Sequence, residues 1–221
     1  MSDFFGEVST EAHDDNRPDN YSAAYVLSNL EYINDLNESL NEAIENVNDT
    51  VKILNVLEGN KDNISIESLA MLNASVFRNI KRTMVSTEGF NAVSVSTEGI
   101  IDNIVAFLHK LIDSIITAFK FVGEKIMAFF RMLSKDNLSG KTNKAVDKDK
   151  AEKNESEPSP NHEEVITCYI NSVSRFIDLL GRMNCGFKTI DRYAIEKLLA
   201  ICEMNRVQVE MYYMLCKKTP L

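Results

Sequence analysis

Across residues 21–57 apolar side chains recur at alternating steps of three and four: Val26, Leu30, Ile33, Leu40, Ile44, Val47, Val51 and Leu54. Asn37 stands where one member of the series is missing. A seven-residue repeat of this kind gathers one stripe on one side of a helix, the seam of a coiled coil or a helical bundle. Asn34, Asn41, Glu42, Glu45 and Asn48 supply the outer face, and "EGNKDN" at 58–63 ends the pattern. A second helix is predicted over 65–83, with Ile66, Leu69, Leu72, Val76, Phe77 and Ile80 inward and Arg78, Lys81 and Arg82 outward. The two would form an antiparallel hairpin.

The most regular pattern follows Gly99. In units of eleven the chain reads "IDNIVAFLH", "IDSIITAFK" and "GEKIMAFFR", starting at Ile101, Ile112 and Gly123. Asp102, Asp113 and Glu124 share a register, as do Ile104, Ile115 and Ile126, then Leu108, Phe119 and Phe130, then His109, Lys120 and Arg131. Eleven residues in three turns nearly matches the helical period, so the stripe stays on one face of an almost straight helix. Over residues 100–133 that helix would be about 50 Å long. Its apolar face suits packing in a bundle, the usual fate of such a stripe. A membrane-surface helix is the competing use, but Asp102, Asp113 and Glu124 interrupt the cationic face it would need.

Residues 135–162 hold almost no apolar side chains and read as a flexible charged linker. Asn161 is then placed to cap a helix whose first turn carries Glu163 and Glu164. That helix should run to about Met183, burying Val165, Ile166, Tyr169, Val173, Phe176, Ile177 and Leu180, before "GRMNCG" turns the chain. A last helix is predicted from Lys188 or Thr189 to about Cys216. Its apolar set is broad: Ile190, Tyr193, Ala194, Leu198, Ile201, Met204, Met211, Tyr212 and Leu215, read mainly as core. The expected fold is therefore all-α: extended helical hairpins around one long amphipathic helix. Its divisions are a disordered acidic start (1–20), an acidic helical region (21–98), the long helix (99–134), the linker (135–162) and a carboxy-terminal hairpin (163–221).

Composition agrees with this picture and narrows the chemistry. Four prolines and eight glycines in 221 residues leave long helices uninterrupted. The start "MSDFFGEVSTEAHDD" has neither the basic nor the apolar region of a secretory signal, and no stretch reaches the length of an apolar membrane span. Cys168, Cys185, Cys202 and Cys216 lack a CxxC spacing, and His13, His109 and His162 are scattered, so buried reduced thiols are expected and no metal or cofactor site. No nucleophile–base arrangement, phosphate loop or basic patch with interleaved aromatics is found, so neither catalysis nor specific nucleic-acid readout is expected. The net charge of −9 is uneven: residues 1–98 hold 17 acidic and 6 basic side chains, the remainder 16 and 18.

That change in charge falls on a repeated word. Val-Ser-Thr-Glu occurs at 8–11, 85–88 and 95–98, each time followed by a small residue, Ala12, Gly89 or Gly99. A given tetrapeptide should appear in well under roughly 1% of chains this long. The spacing is too irregular for a structural repeat. Helix capping accounts for Ser96-Thr97-Glu98, which precedes an apolar run, but less well for Ser86-Thr87-Glu88, where Gly89 follows at once. A protease substrate accounts for all three: Glu suits a cationic pocket, and small residues on both sides leave a pliable backbone.

Ser-x-Glu before a small residue, after an acidic helical region and ahead of an amphipathic Phe/Ile/Lys helix, resembles the internal head proteins of giant (jumbo) tailed bacteriophages. In that family a prohead protease removes amino-terminal propeptides after Ser/Ala-x-Glu during capsid maturation, and the products stay in the head with the genome. The resemblance implies scission after Glu11, Glu88 and Glu98, with Ser9, Ser86 and Ser96 two positions upstream and Ala12, Gly89 and Gly99 following the bond. Ser65-Ile66-Glu67 before Ser68 meets the looser pattern but lies in a predicted helix. The implied partners are the prohead protease, capsid or core proteins and, non-specifically, packaged DNA; the implied location is the virion, reached from the host cytoplasm. The alternative is an uncut helical scaffold or adaptor that forms homo-oligomers through its coiled-coil-like helices.

Overall fold

The computed structural model describes residues 23–60, 97–138 and 161–218, together with several positions between 63 and 74. The predicted amino-terminal tail, most of the predicted 65–83 helix and the 139–160 stretch lie outside the described residues. Among the described residues the chain is all-α, with long helices α1 (Ala23–Gly59), α2 (Thr97–Leu138), α3 (His162–Gly186) and α4 (Arg192–Lys218).

Side-chain contacts fix the directions. Asn37 meets Val165, Asn41 meets Ser172 and Glu58 meets Thr189, so α1 and α3 run parallel. Tyr169 meets Asn205 and Glu163 meets Tyr213, so α4 returns antiparallel to α3. Phe119 touches both Tyr169 and Phe176, while Gly123 lies by Tyr169 and Asn205, which sets α2 antiparallel to α3. The helices alternate up and down, with α1 packed on α2 and α3, and α4 packed on α3 and α2. Helices α2 and α3 therefore face each other across the diagonal. They meet through large rings: Phe119 lies edge-on to Tyr169, centroids 5.8 Å apart, and 5.7 Å from Phe176.

One core serves all four helices. On α1 the heptad positions Leu30, Ile33, Leu40, Ile44, Val47, Val51 and Leu54 are buried, joined by Leu36, Ala43, Thr50 and Leu57 every seventh residue. The added row widens the seam because α1 serves two neighbours rather than one. Asn37 fills the gap in the series and is fully buried. The eleven-residue pattern of α2 holds throughout: Asp102, Asp113 and Glu124 are exposed, while Ile104, Ile115, Ile126, Leu108, Phe119 and Phe130 are buried. The apolar stripe of α2 is thus spent on bundle packing.

The carboxy-terminal half departs from expectation in three places. Helix α3 continues through "GRMNCG" to Gly186, held there by the buried Met183 and Phe187 on either side. Helix α4 starts at Arg192 rather than 188 or 189, because the Asp191 carboxylate accepts from the Tyr193 and Ala194 amides. Its buried face consists of Ile195, Cys202, Asn205 and Val209, while Tyr193, Met204, Met211 and Leu215 are exposed. The start of α3 follows the sequence closely: Asn161 accepts from the Glu164 amide at 2.8 Å and Glu164 reaches back to the Asn161 amide, a complete capping box.

Candidate processing site

The third Val-Ser-Thr-Glu copy, with Gly99 after it, coincides with the start of α2. Thr97 is its first helical residue, and Glu98 and Gly99 lie in the first turn. Gly99 is half-buried, and the next two residues, Ile100 and Ile101, are each 1% exposed. The first four amides of a helix lack intrahelical acceptors, so this turn opens more easily than the helix interior. Opening it far enough to seat a protease still draws two buried isoleucines from the core. Of the other processing residues, Ser9, Glu11, Ala12, Ser86, Glu88, Gly89 and Ser96 lie outside the described residues.

The looser Ser65-Ile66-Glu67 match has a structural role. The Ser65 hydroxyl accepts from the Ser68 amide at 3.2 Å and donates to the Ser68 hydroxyl at 3.1 Å, and Glu67 and Ser68 are helical. Here the Ser-x-Glu pattern is a helix cap.

A cut after Glu98 would separate α1 from α2 along the chain, but not in space. Ten apolar side chains of α1, from Leu30 to Leu57, belong to the shared core. Polar contacts add to them: Asn37 Nδ2 donates to the Val165 carbonyl at 3.0 Å, and the Ser172 hydroxyl donates to Asn41 Oδ1 at 2.8 Å. Arg175 lies 3.4 Å from Asn41 Oδ1 and 3.7 Å from Glu45. Asn41, Ser172 and Arg175 border an open cleft of about 600 Å³ between α1 and the first turns of α3, lined also by Asn161, Glu163, Glu164, Thr167 and Cys168.

A second polar cluster lies inside the bundle, where no motif pointed. The Tyr169 hydroxyl donates to the Phe119 carbonyl at 2.7 Å and accepts from Asn205 Nδ2 at 2.6 Å. Burial pushes the Tyr169 phenol above its ordinary range, offset in part by the Asn205 hydrogen bond. Burial likewise pushes the nearby Cys202 thiol up to about 12, against the pull of the Lys120 ammonium. Both groups stay neutral at physiological pH, which suits packing rather than nucleophilic chemistry. Cys202 is the buried thiol expected from sequence; Cys168 is half-buried and Cys185 is exposed, contrary to that expectation. Among the described residues no three metal-ligating side chains cluster, and no helix is long and apolar enough to cross a membrane.

No family model, curated protein or solved structure matches this chain.

Proposed function

We propose that this chain is a structural protein of a bacteriophage head, synthesised with an acidic amino-terminal portion that a prohead protease severs after Glu98 during capsid maturation. One coincidence carries the reading. The third Ser-Thr-Glu-small word, the break between the acidic and the slightly basic part of the chain, and the first turn of α2 all fall within residues 96–99. Scission there severs a portion that carries a balance of eleven negative charges, and departure of that portion would weaken the repulsion between what is retained and the phosphate backbone of DNA. In this reading the chain performs no catalysis; it is the protease's substrate, and Gly99 becomes the new amino terminus. Amino-terminal sequencing of the protein from purified particles is expected to give Gly99, and Glu98→Gln to leave the precursor uncut. Particles holding only intact chain would sink the proposal.

The competing reading is an uncut helical scaffold. It draws support from the depth at which α1 is packed, since a segment meant to leave would be expected to bury less of itself. Such a scaffold is indifferent to Glu98→Gln in particle assembly.

A further inference from the structure

We propose that α4 carries a self-association face through which two copies of this chain pair. Ile195, Cys202, Asn205 and Val209 point into the core, whereas Tyr193, Met204, Val207, Met211 and Met214 are 45–64% exposed on the other side of the same helix. Together with the exposed Ala200, the positions 200, 204, 207, 211 and 214 step by four and three. That is a second seven-residue seam, on the outside of a helix already packed on its inner face. Isolated apolar side chains on a surface need no explanation, but a continuous row does.

Size favours a protein partner. The five large side chains present on the order of 600 Å² of surface, the upper end of what a monomer ordinarily leaves open. With the stems of the flanking polar residues, a pair approaches the roughly 800 Å² per partner of a standard interface. Three of the five are methionines, whose unbranched side chains mould to a facing surface.

Charge selects a second copy and its orientation. One edge of the row carries Glu196, Glu203 and Glu210; the other carries Ile201 and Gln208. Antiparallel helices would set glutamate edge against glutamate edge, whereas parallel helices set each glutamate edge against the uncharged one. Lys197, which also falls in the row, lies over the Tyr193 ring, its ammonium 4.3 Å from the centroid, so its charge rests on an aromatic face. A parallel pair is isologous, related by a two-fold axis running along the helices.

The full chain is therefore expected to sediment as a dimer, and Met204→Glu with Met211→Glu to weaken dimerisation at least about 100-fold while leaving helical content unchanged and lowering the thermal midpoint only by what the lost association contributes. In a background with Cys185→Ser and Cys216→Ser, Met214→Cys should form a disulfide between copies, because only parallel pairing brings residue 214 against itself. A monomeric full chain at the same concentrations, including one whose own remaining segments cover the row, would overturn the proposal, as would a dimer insensitive to the two glutamates. A dimer that Met214→Cys fails to cross-link would overturn the parallel arrangement. None of these outcomes depends on whether the chain is cut after Glu98.

Discussion

The Tyr169 hydroxyl reaches across the diagonal of the bundle and donates to the Phe119 carbonyl at 2.7 Å, a bond from α3 to a backbone group in the interior of α2. Room for it comes from Gly123, one turn further on. A Cβ at Gly123 would sit 3.0 Å from the Tyr169 oxygen and 3.1 Å from Asn205 Oδ1. Both atoms are ends of side chains, but the two side chains are buried and joined by the hydrogen bond from Asn205 Nδ2 to the Tyr169 oxygen, so neither yields freely.

Gly123→Ala sets two effects against each other. Alanine gains about 1 kcal/mol of helix propensity over glycine. Displacing a buried hydroxyl from its partners costs about 1–3 kcal/mol. The second should win, so urea unfolding is expected to show a net loss of about 1 kcal/mol. In a Tyr169→Phe background, where one crowding oxygen is gone and Asn205 is released from its bond to it, the same change should become neutral or stabilising. Equal effects of Gly123→Ala in the two backgrounds would remove the steric explanation.

Asn37 shows the converse case, a polar group whose satisfaction is incomplete. Its Nδ2 bonds the Val165 carbonyl, yet its Oδ1 is buried with no hydrogen-bond partner among the described residues. An orphaned acceptor costs about 1–3 kcal/mol, comparable to what the single bond contributes. Asn37→Leu should restore an unbroken apolar seam and raise stability by about 1–2 kcal/mol. Asn37→Asp, which buries a charge at the same place, should lower it by more than about 3 kcal/mol. A loss of stability in the leucine variant would mean that the amide is worth more than its geometry suggests.

These positions also mark the limits of what the sequence conveys. The face of α2 was legible because one stripe is apolar and the rest polar at a fixed period, and burial follows it from Ile101 to Phe130. The gap at Asn37 was visible, but not its partner, since Val165 lies 128 residues away. Helix α4 departs from its sequence pattern for a definite reason. It carries two apolar rows, one through Ile195, Cys202 and Val209 and one through Met204, Val207 and Met211, and periodicity alone does not say which the bundle takes. The glycines of "GRMNCG" suggested a turn, but packing of Met183 and Phe187 outweighs their modest helix penalty. For the processing motifs, sequence located a helix boundary at Glu98 and Gly99. The heptad seam showed that α1 is packed, but not that its partners are the helices downstream of the bond.

Alkaline pH should expose the buried acids. In the folded state Cys202 titrates near 12, above its ordinary value of 9.0, so the unfolded chain loses this proton first. The associated stability is fully present below pH 9 and is lost as pH rises from there toward 12; Tyr169, also raised, adds a loss that begins higher. Between pH 9 and 10.5 the Cys202 contribution amounts to about 2 kcal/mol at most. Urea midpoints measured across that range should fall, and Cys202→Ala should flatten the slope. An unchanged slope in that variant would place the alkaline sensitivity elsewhere. Thiol labelling of the native protein offers an independent check, with Cys185 reacting quickly and Cys202 protected until unfolding.

Cutting the chain ahead of α2 should leave a nicked bundle rather than two free pieces. Ten buried apolar side chains on α1 represent on the order of 15 kcal/mol of gross hydrophobic stabilisation, an upper estimate before the entropy of a separate fragment is counted. Loss of covalent linkage costs the assembly its effective concentration but removes no contact. A recognition sequence for a highly specific protease, placed between residues 89 and 95 of the full chain, allows the test. After cleavage the two fragments are expected to co-elute in gel filtration and to separate only in denaturant, with a dissociation constant below about 1 μM. Adding Leu40→Asp and Val47→Asp, both on the buried seam, should release the amino-terminal fragment. Spontaneous separation of the unmutated fragments would mean that α1 is held chiefly by its tether, and would make a cut after Glu98 sufficient by itself to shed the acidic portion. Co-elution would instead require a second event, such as displacement by a partner or unfolding within the particle, before that portion could leave.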